Sequence, residues 1–160
     1  MKPTALIAVS DKAGLGELAE ELVRLGWQIL ATGGTASFIR SLNLPVIPVS
    51  EYTKSPEMLG GRVKTLHPLI HGGILYRRGN TEDEREMKAR GMMSIDLVVC
   101  NLYPFQETIA REEHTEVEAI EQIDIGGPTM IRAAAKNHEG VGVIVDPDDY
   151  QKVINHRGQQ

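Results

Sequence analysis

The chain has 160 residues, 41% of them hydrophobic and 24% charged, with a formal net charge of -5. That is enough to bury one sizeable core without staples, so a single domain over 1–160 is expected, and the acidic balance argues against a nucleic-acid partner. One cysteine, Cys100, excludes an internal disulfide. It ends the run Leu97-Val98-Val99 and reads as a packing residue.

Residues Thr4 to Val9 form a continuous apolar run, predicted as a strand buried on both faces. The run is too short for a signal peptide or a spanning segment, which makes the cytoplasm the expected location and leaves no role for a membrane. Leu15, Leu18, Ala19, Leu22 and Leu25 recur at helical spacing before Gly26. Trp27 to Ala31 is the next strand, Thr32 to Thr35 a turn, and Ala36 to Leu42 a short helix with Phe38, Ile39 and Leu42 as buried candidates. Val46 to Val49 is flanked by Pro45 and interrupted by Pro48 and belongs at a sheet edge.

Residues Ser50 to Gly73 show no clean period and read as a long functional connection. Thr81 to Glu84 and Thr115 to Glu118 carry the spacing of capping boxes, for helices running to about Arg90 and Gln122. Asp96 to Asn101 and Val141 to Val145 are strands, Thr129 to Asn137 is a helix, and Asp146 caps a terminal helix. Strands alternating with helices in this rhythm predict an α/β fold, a three-layer sandwich around a mainly parallel sheet.

In such a sheet ligands collect at the carboxyl ends of the strands. Thr32-Gly33-Gly34-Thr35 offers hydroxyls and unhindered amides to a phosphate, although a glycine pair also simply closes turns. Ser10 and Lys12 follow the first strand, where Ser10 has a compatible second use as a helix cap. In Gly60-Gly61-Arg62-Val63-Lys64-Thr65, an extended backbone would place Arg62 and Lys64 on one face, while the alternative is a solvated basic loop. His67 and His71 are separated by Pro68 and followed by Gly72-Gly73, so neither a regular helix nor a zinc pair is expected there. Asp124 either caps the helix after Gly126-Gly127 or accepts a proton from a ligand N–H. Lys136 suits a helix C-terminus without further function, and Asn101 and Tyr103 stand at a strand end within reach of a heterocycle. Together these segments read as a site for a phosphorylated small molecule.

The ordered motifs Ser10-Asp11-Lys12, Thr32 to Ala36, Pro56 to Pro68, Cys100 to Phe105 and Ile123 to Thr129, ending in Ala133 to His138, resemble the inosine monophosphate (IMP) cyclohydrolase domain of the PurH family of bifunctional purine-synthesis proteins. The resemblance covers Leu6 to Tyr150 and implies a methylglyoxal-synthase-like fold. It implies closure of 5-formamidoimidazole-4-carboxamide ribotide (FAICAR) to IMP with loss of water, the last step of de novo purine synthesis, with neither metal nor cofactor. It also implies a homodimer and a covalently linked AICAR transformylase domain, which is absent from this chain.

Carried over by the same resemblance, Lys64, Tyr103, Asp124 and Lys136 are the catalytic set. Asp124 would accept hydrogen from the carboxamide, Lys136 would serve the formyl oxygen, Lys64 would polarise the reacting groups and Tyr103 would hold the base. Ser10, Lys12, Thr32, Gly33, Gly34 and Thr35 would surround the phosphate, with Arg62, Thr65, Asn101, Gly126 and Gly127 completing the base and ribose surroundings. A methylglyoxal synthase that eliminates phosphate from a triose, or a non-catalytic regulatory module, would share the fold. The segments from Gly60 to Pro68 and from Ile123 to Thr129 favour the cyclohydrolase.

Overall fold

The apolar runs become the centre of one sheet. The computed structural model describes residues 1–102 and 105–157. Strands β1 (Thr4–Ala8), β2 (Gln28–Ala31), β3 (Ile47–Pro48), β4 (Ile95–Cys100) and β5 (Gly142–Ile144) pair parallel in the order β3-β2-β1-β4-β5. β1 lies centrally, and Thr4 to Ile7 are fully buried because helices cover both sheet faces. The proline-bounded β3 is at the edge, where a missing backbone donor costs no ladder bond.

Alternate side chains of the strands feed two cores. Ala5, Ile7, Leu97 and Val99 pack with Leu15, Leu18 and Leu22 of α1 (Leu15–Arg24), Ile39 of α2 (Gly33–Ser41) and Tyr150 of α9 (Tyr150–Arg157). Leu6, Val98 and Cys100 point the other way, onto Ile70 and Ile74 of α4 (Pro68–Leu75) and Met130 and Ala134 of α8 (Gly126–Lys136). This is the expected three-layer arrangement, and Cys100 is buried as a packing residue. Among the described residues no helix is long and apolar enough to cross a membrane.

Several local expectations need correction. Helix α2 begins at Gly33 rather than at Ala36, so its glycine pair is a helical first turn and not a preceding turn; α8 begins at Gly126 rather than at Thr129, with its glycine pair opening the helix. Ser10 does not cap α1: the capping position is Gly14, and no side chain caps that end. Within the stretch from Ser50 to Gly73 lie α3 (Val49–Thr53), a 3₁₀ turn (Leu59–Gly61) and the start of α4.

Helix α4 overturns the expectation that no regular helix follows His67 and carries His71. Pro68 occupies the first turn, where it is tolerated, and His67 Nδ1 accepts a hydrogen bond from Leu69 N at 3.1 Å. Gly73 is required by close packing, since a Cβ there would come within 2.6 Å of the Met93 carbonyl oxygen.

Helix α5 (Thr81–Ala89) is capped by Asn80, one residue before the expected Thr81. The Thr115 box does form, at the head of α7 (Glu116–Glu121). Asp146 accepts from Asp148 N at 2.9 Å ahead of α9. A short helix α6 (Phe105–Ala110), which periodicity did not indicate, precedes α7.

Candidate active site

From β1 the sheet grows one way through β2 and β3 and the other way through β4 and β5, which creates a crevice at the carboxyl ends of β1, β2 and β4. A cleft of ≈ 820 Å³ opens there. Its walls are the ends of β1 (Ala8 to Ser10) and β4 (Cys100 and Asn101), the first turn of α2, the segment 59–66 and the segment 123–127.

The α2 side of the cleft is a cradle of backbone donors. Thr32 is the N-cap residue in extended conformation, and no side chain bonds to the first amides of the helix. A side chain at Gly34 would meet nothing within 4 Å, so the amides there are sterically open. Free first-turn amides and the helix dipole favour an anion. The buried Thr35 hydroxyl is engaged, accepting from Val9 N and donating to Val9 O, both at 3.2 Å. It therefore ties α2 to β1, and Thr35 offers the cleft its backbone.

Lys12 is half-buried and its ammonium donates to Val9 O. Burial lowers its pKa from the ordinary lysine value; Asp11 opposes the shift and the positive charge of Lys64 adds to it. Lys12 and Lys64 therefore face the same cavity closely enough to repel each other. Ser10 is exposed at the mouth, with its hydroxyl 3.5 Å from Leu102 O.

Residues 59–66 form successive tight turns rather than an extended strand, so Arg62 and Lys64 do not share a partner. Arg62 reaches Glu121 of α7 at 3.4 Å, and Lys64 reaches Glu57 at 3.2 Å. Both cations nevertheless line the cleft. The sequence reading missed the two carboxylates, although Glu57 lies within the quoted motif.

Opposite them, Asp124 Oδ1 accepts from Gly127 N at 2.8 Å, so the carboxylate does cap α8. Burial pushes the neighbouring Cys100 thiol up to about 12, and the Asp124 charge contributes to that shift. The capping carboxylate is thus also an anionic wall above the cleft floor. A Cβ at Gly127 would stand 2.6 Å from Asp124 Oδ2, and one at Gly126 2.7 Å from Thr65 Oγ1. The glycine pair lets both polar groups lie against the helix.

Asn101 lines the cleft while its amide donates to Val145 O at 3.1 Å, bracing the ends of β4 and β5. Gly33 instead lines an adjoining cavity of ≈ 220 Å³. Lys136 closes α8 and is exposed, about 15 Å from Gly126 at 1.5 Å rise per residue, and does not line the cleft. Tyr103 lies outside the described residues. The structure brings together Ser10, Lys12, Thr32, Gly34, Thr35, Arg62, Lys64, Thr65, Asn101, Asp124, Gly126 and Gly127.

The family model for the MGS-like domain matches residues 14–129. The chain is 60% identical over 151 residues to the bifunctional purine biosynthesis protein PurH of Thermosynechococcus vestitus, covering 94% of this chain and 29% of that protein. It is 57% identical over 156 residues to PurH of Myxococcus xanthus, covering 98% of this chain and 30% of that protein. It therefore spans about 30% of the length of these relatives. The crystal structure of ForH superposes with a TM-score of 0.86 at 41% identity, covering 99% of this chain and 81% of that one. The chain belongs to the MGS-like domain family, and PurH proteins are among its relatives.

Proposed function

We propose that the cleft binds a purine nucleoside monophosphate and closes FAICAR to IMP with release of water. The observation that carries this reading is the arrangement around one cavity: open α2 amides and Lys12 on one wall, Lys64 on a second, and the Asp124 carboxylate on a third. The phosphate sits on the first turn of α2 beside Lys12, Ser10 and Thr32. The base extends toward Asn101, Thr65, Gly126 and Gly127.

Ring closure joins the carboxamide nitrogen to the formyl carbon, and the formyl oxygen gains charge before leaving as water. Both groups belong to one molecule, so fixing a single rotamer is itself catalytic. Asp124 accepts hydrogen from the carboxamide NH₂ and raises its nucleophilicity. Because Lys136 stands at the far end of α8, the formyl oxygen is assigned to Lys64, a cation within the cleft that stabilises the developing oxyanion.

A second copy of the chain is proposed to pack against the apolar strip beside the cleft, where Val117 is 76% and Ile125 57% exposed. Linkage to an AICAR transformylase domain, as a PurH relative would carry it, and a cytoplasmic location belong to the same proposal.

The test is turnover of the formamido ribotide by the purified protein, followed as IMP formation in the presence of a strong chelator, alongside phosphate release from a triose phosphate. IMP formation alone supports the reading. Phosphate release alone supports a methylglyoxal synthase, and nucleotide binding without turnover supports a regulatory module.

A further inference from the structure

We propose that Glu57 is a positioning residue for Lys64, holding its ammonium at the boundary between the two cavities. This rests on the ring-closing reading. Glu57 lines only the smaller cavity, whereas Lys64, Val63 and Thr32 line both. The carboxylate reaches Lys64 Nζ at 3.2 Å from that side.

The surroundings are shaped for this contact. Gly61 has φ +80°, and a Cβ there would run into Lys64 Cε and come within 3.4 Å of Glu57 Oε1. A Cβ at Gly33, in the first turn of α2, would lie 3.7 Å from the same oxygen. Glu57 thus bridges the α2 cradle and the turn carrying Lys64, and the lysine stem passes over a backbone with no side chain to obstruct it. On the cleft side Lys64 meets the like charge of Lys12 and shares the cleft with Asp124 and with Arg62, whose guanidinium pairs with Glu121. A flexible lysine between these charges needs a fixed counter-charge to stay in one place.

The pair is half open to water, with side chains 35% and 52% exposed, so its contribution to stability is small and its use is geometric. A displacement of the order of 1 Å at a reacting group costs about 10²-fold in rate. Glu57→Gln should lower kcat by about 10- to 100-fold while leaving KM and the Kd for IMP within about twofold. Glu57→Asp, which keeps the charge, should recover part of the loss. In a Lys64→Met background, Glu57→Gln should have no further effect on kcat, as expected for a residue acting through another.

A second readout does not depend on turnover. With lysines converted to ¹³C-dimethyl derivatives, the Lys64 resonance should move in Glu57→Gln while those of Lys54 and Lys88 stay in place. An unmoved Lys64 resonance, or a kcat loss that persists undiminished in the Lys64→Met background, overturns the proposal. If the wild-type protein closes no ring, the functional reading fails, and the Lys64 resonance alone decides whether Glu57 positions that side chain.

Discussion

The two ends of the sheet are built on opposite principles. At the amino end, Arg78 donates to the carbonyls of Gly73, Ile74, Tyr76 and Ile95 at 2.7 to 3.3 Å, and lies 3.4 Å from Asp96 Oδ1. Its guanidinium stacks 4.1 Å from the centroid of Tyr76, and Asn137 donates to two of the same carbonyls at 2.8 Å. One cation there satisfies the C-terminal carbonyls of α4 and ties them to β4. At the carboxyl end, among the described residues, Lys12, Arg62 and Lys64 each hold one partner, and the first amides of α2 have no side-chain cap. The closed end holds the fold together, and the open end keeps donors available for a ligand.

The sharpest way to break this comparison is to exchange losses between the ends. Arg78→Met removes a donor shared by four carbonyls, of which those of Ile74 and Tyr76 keep Asn137, and leaves Asp96 without its cation; it should cost roughly 3 kcal/mol of stability in urea unfolding, because unsatisfied buried groups carry their full desolvation penalty. The folded fraction should keep its affinity for IMP. Asp124→Asn should do the reverse. Asparagine caps a helix about as well as aspartate, so unfolding should shift by less than about 1 kcal/mol. The lost charge should lower kcat by about 10²-fold or more, with a smaller change in KM.

Smaller effects sharpen the contrast. The pKa of Lys12 is lowered by burial and by Lys64, so it loses its charge below the ordinary lysine range. Affinity for IMP, measured by calorimetry, should therefore fall as pH rises toward that range, and Lys12→Arg should keep its affinity there. The smallest change should split stability from binding. A methyl group at Gly34 meets no neighbour, so Gly34→Ala should raise stability by about 0.5 kcal/mol. The same methyl projects into the cradle, and IMP should bind about tenfold more weakly by calorimetry.

The scaffold was more legible in the sequence than the tuning of the site. Continuous apolar runs at 4–9 and 97–100 read as doubly buried strands in a chain of this kind, and prolines at 45 and 48 place β3 at the edge. The glycine pair at 33–34 reads as a turn and is instead the start of α2, while that at 126–127 opens a helix as its place before Pro128 suggests. Glycine has low helix propensity; at 126–127 the close approaches of Thr65 and Asp124 explain its use in a first turn, whereas at Gly34 no neighbour demands it. Similarly, Gly72-Gly73 seemed to exclude a helix that tertiary packing in fact requires. The partners of Lys64 and Arg62 depend on how tight turns direct side chains, which periodicity does not encode. The place of Lys136 follows from helix length alone: with α8 starting at Gly126 at the carboxyl end of the sheet, its last residue is carried toward the amino end, beside Asn137.

The central claim is that the open end of the sheet receives a nucleoside monophosphate with its phosphate on α2 and its base between Lys64 and Asp124. A crystal structure of the protein with IMP tests it most directly. The account predicts phosphate oxygens within hydrogen-bond distance of the Gly34 and Thr35 amides and of Lys12, with the base reaching Asp124 and Lys64 in the same cleft. A phosphate bound elsewhere, or a base turned away from both Asp124 and Lys64, would contradict it.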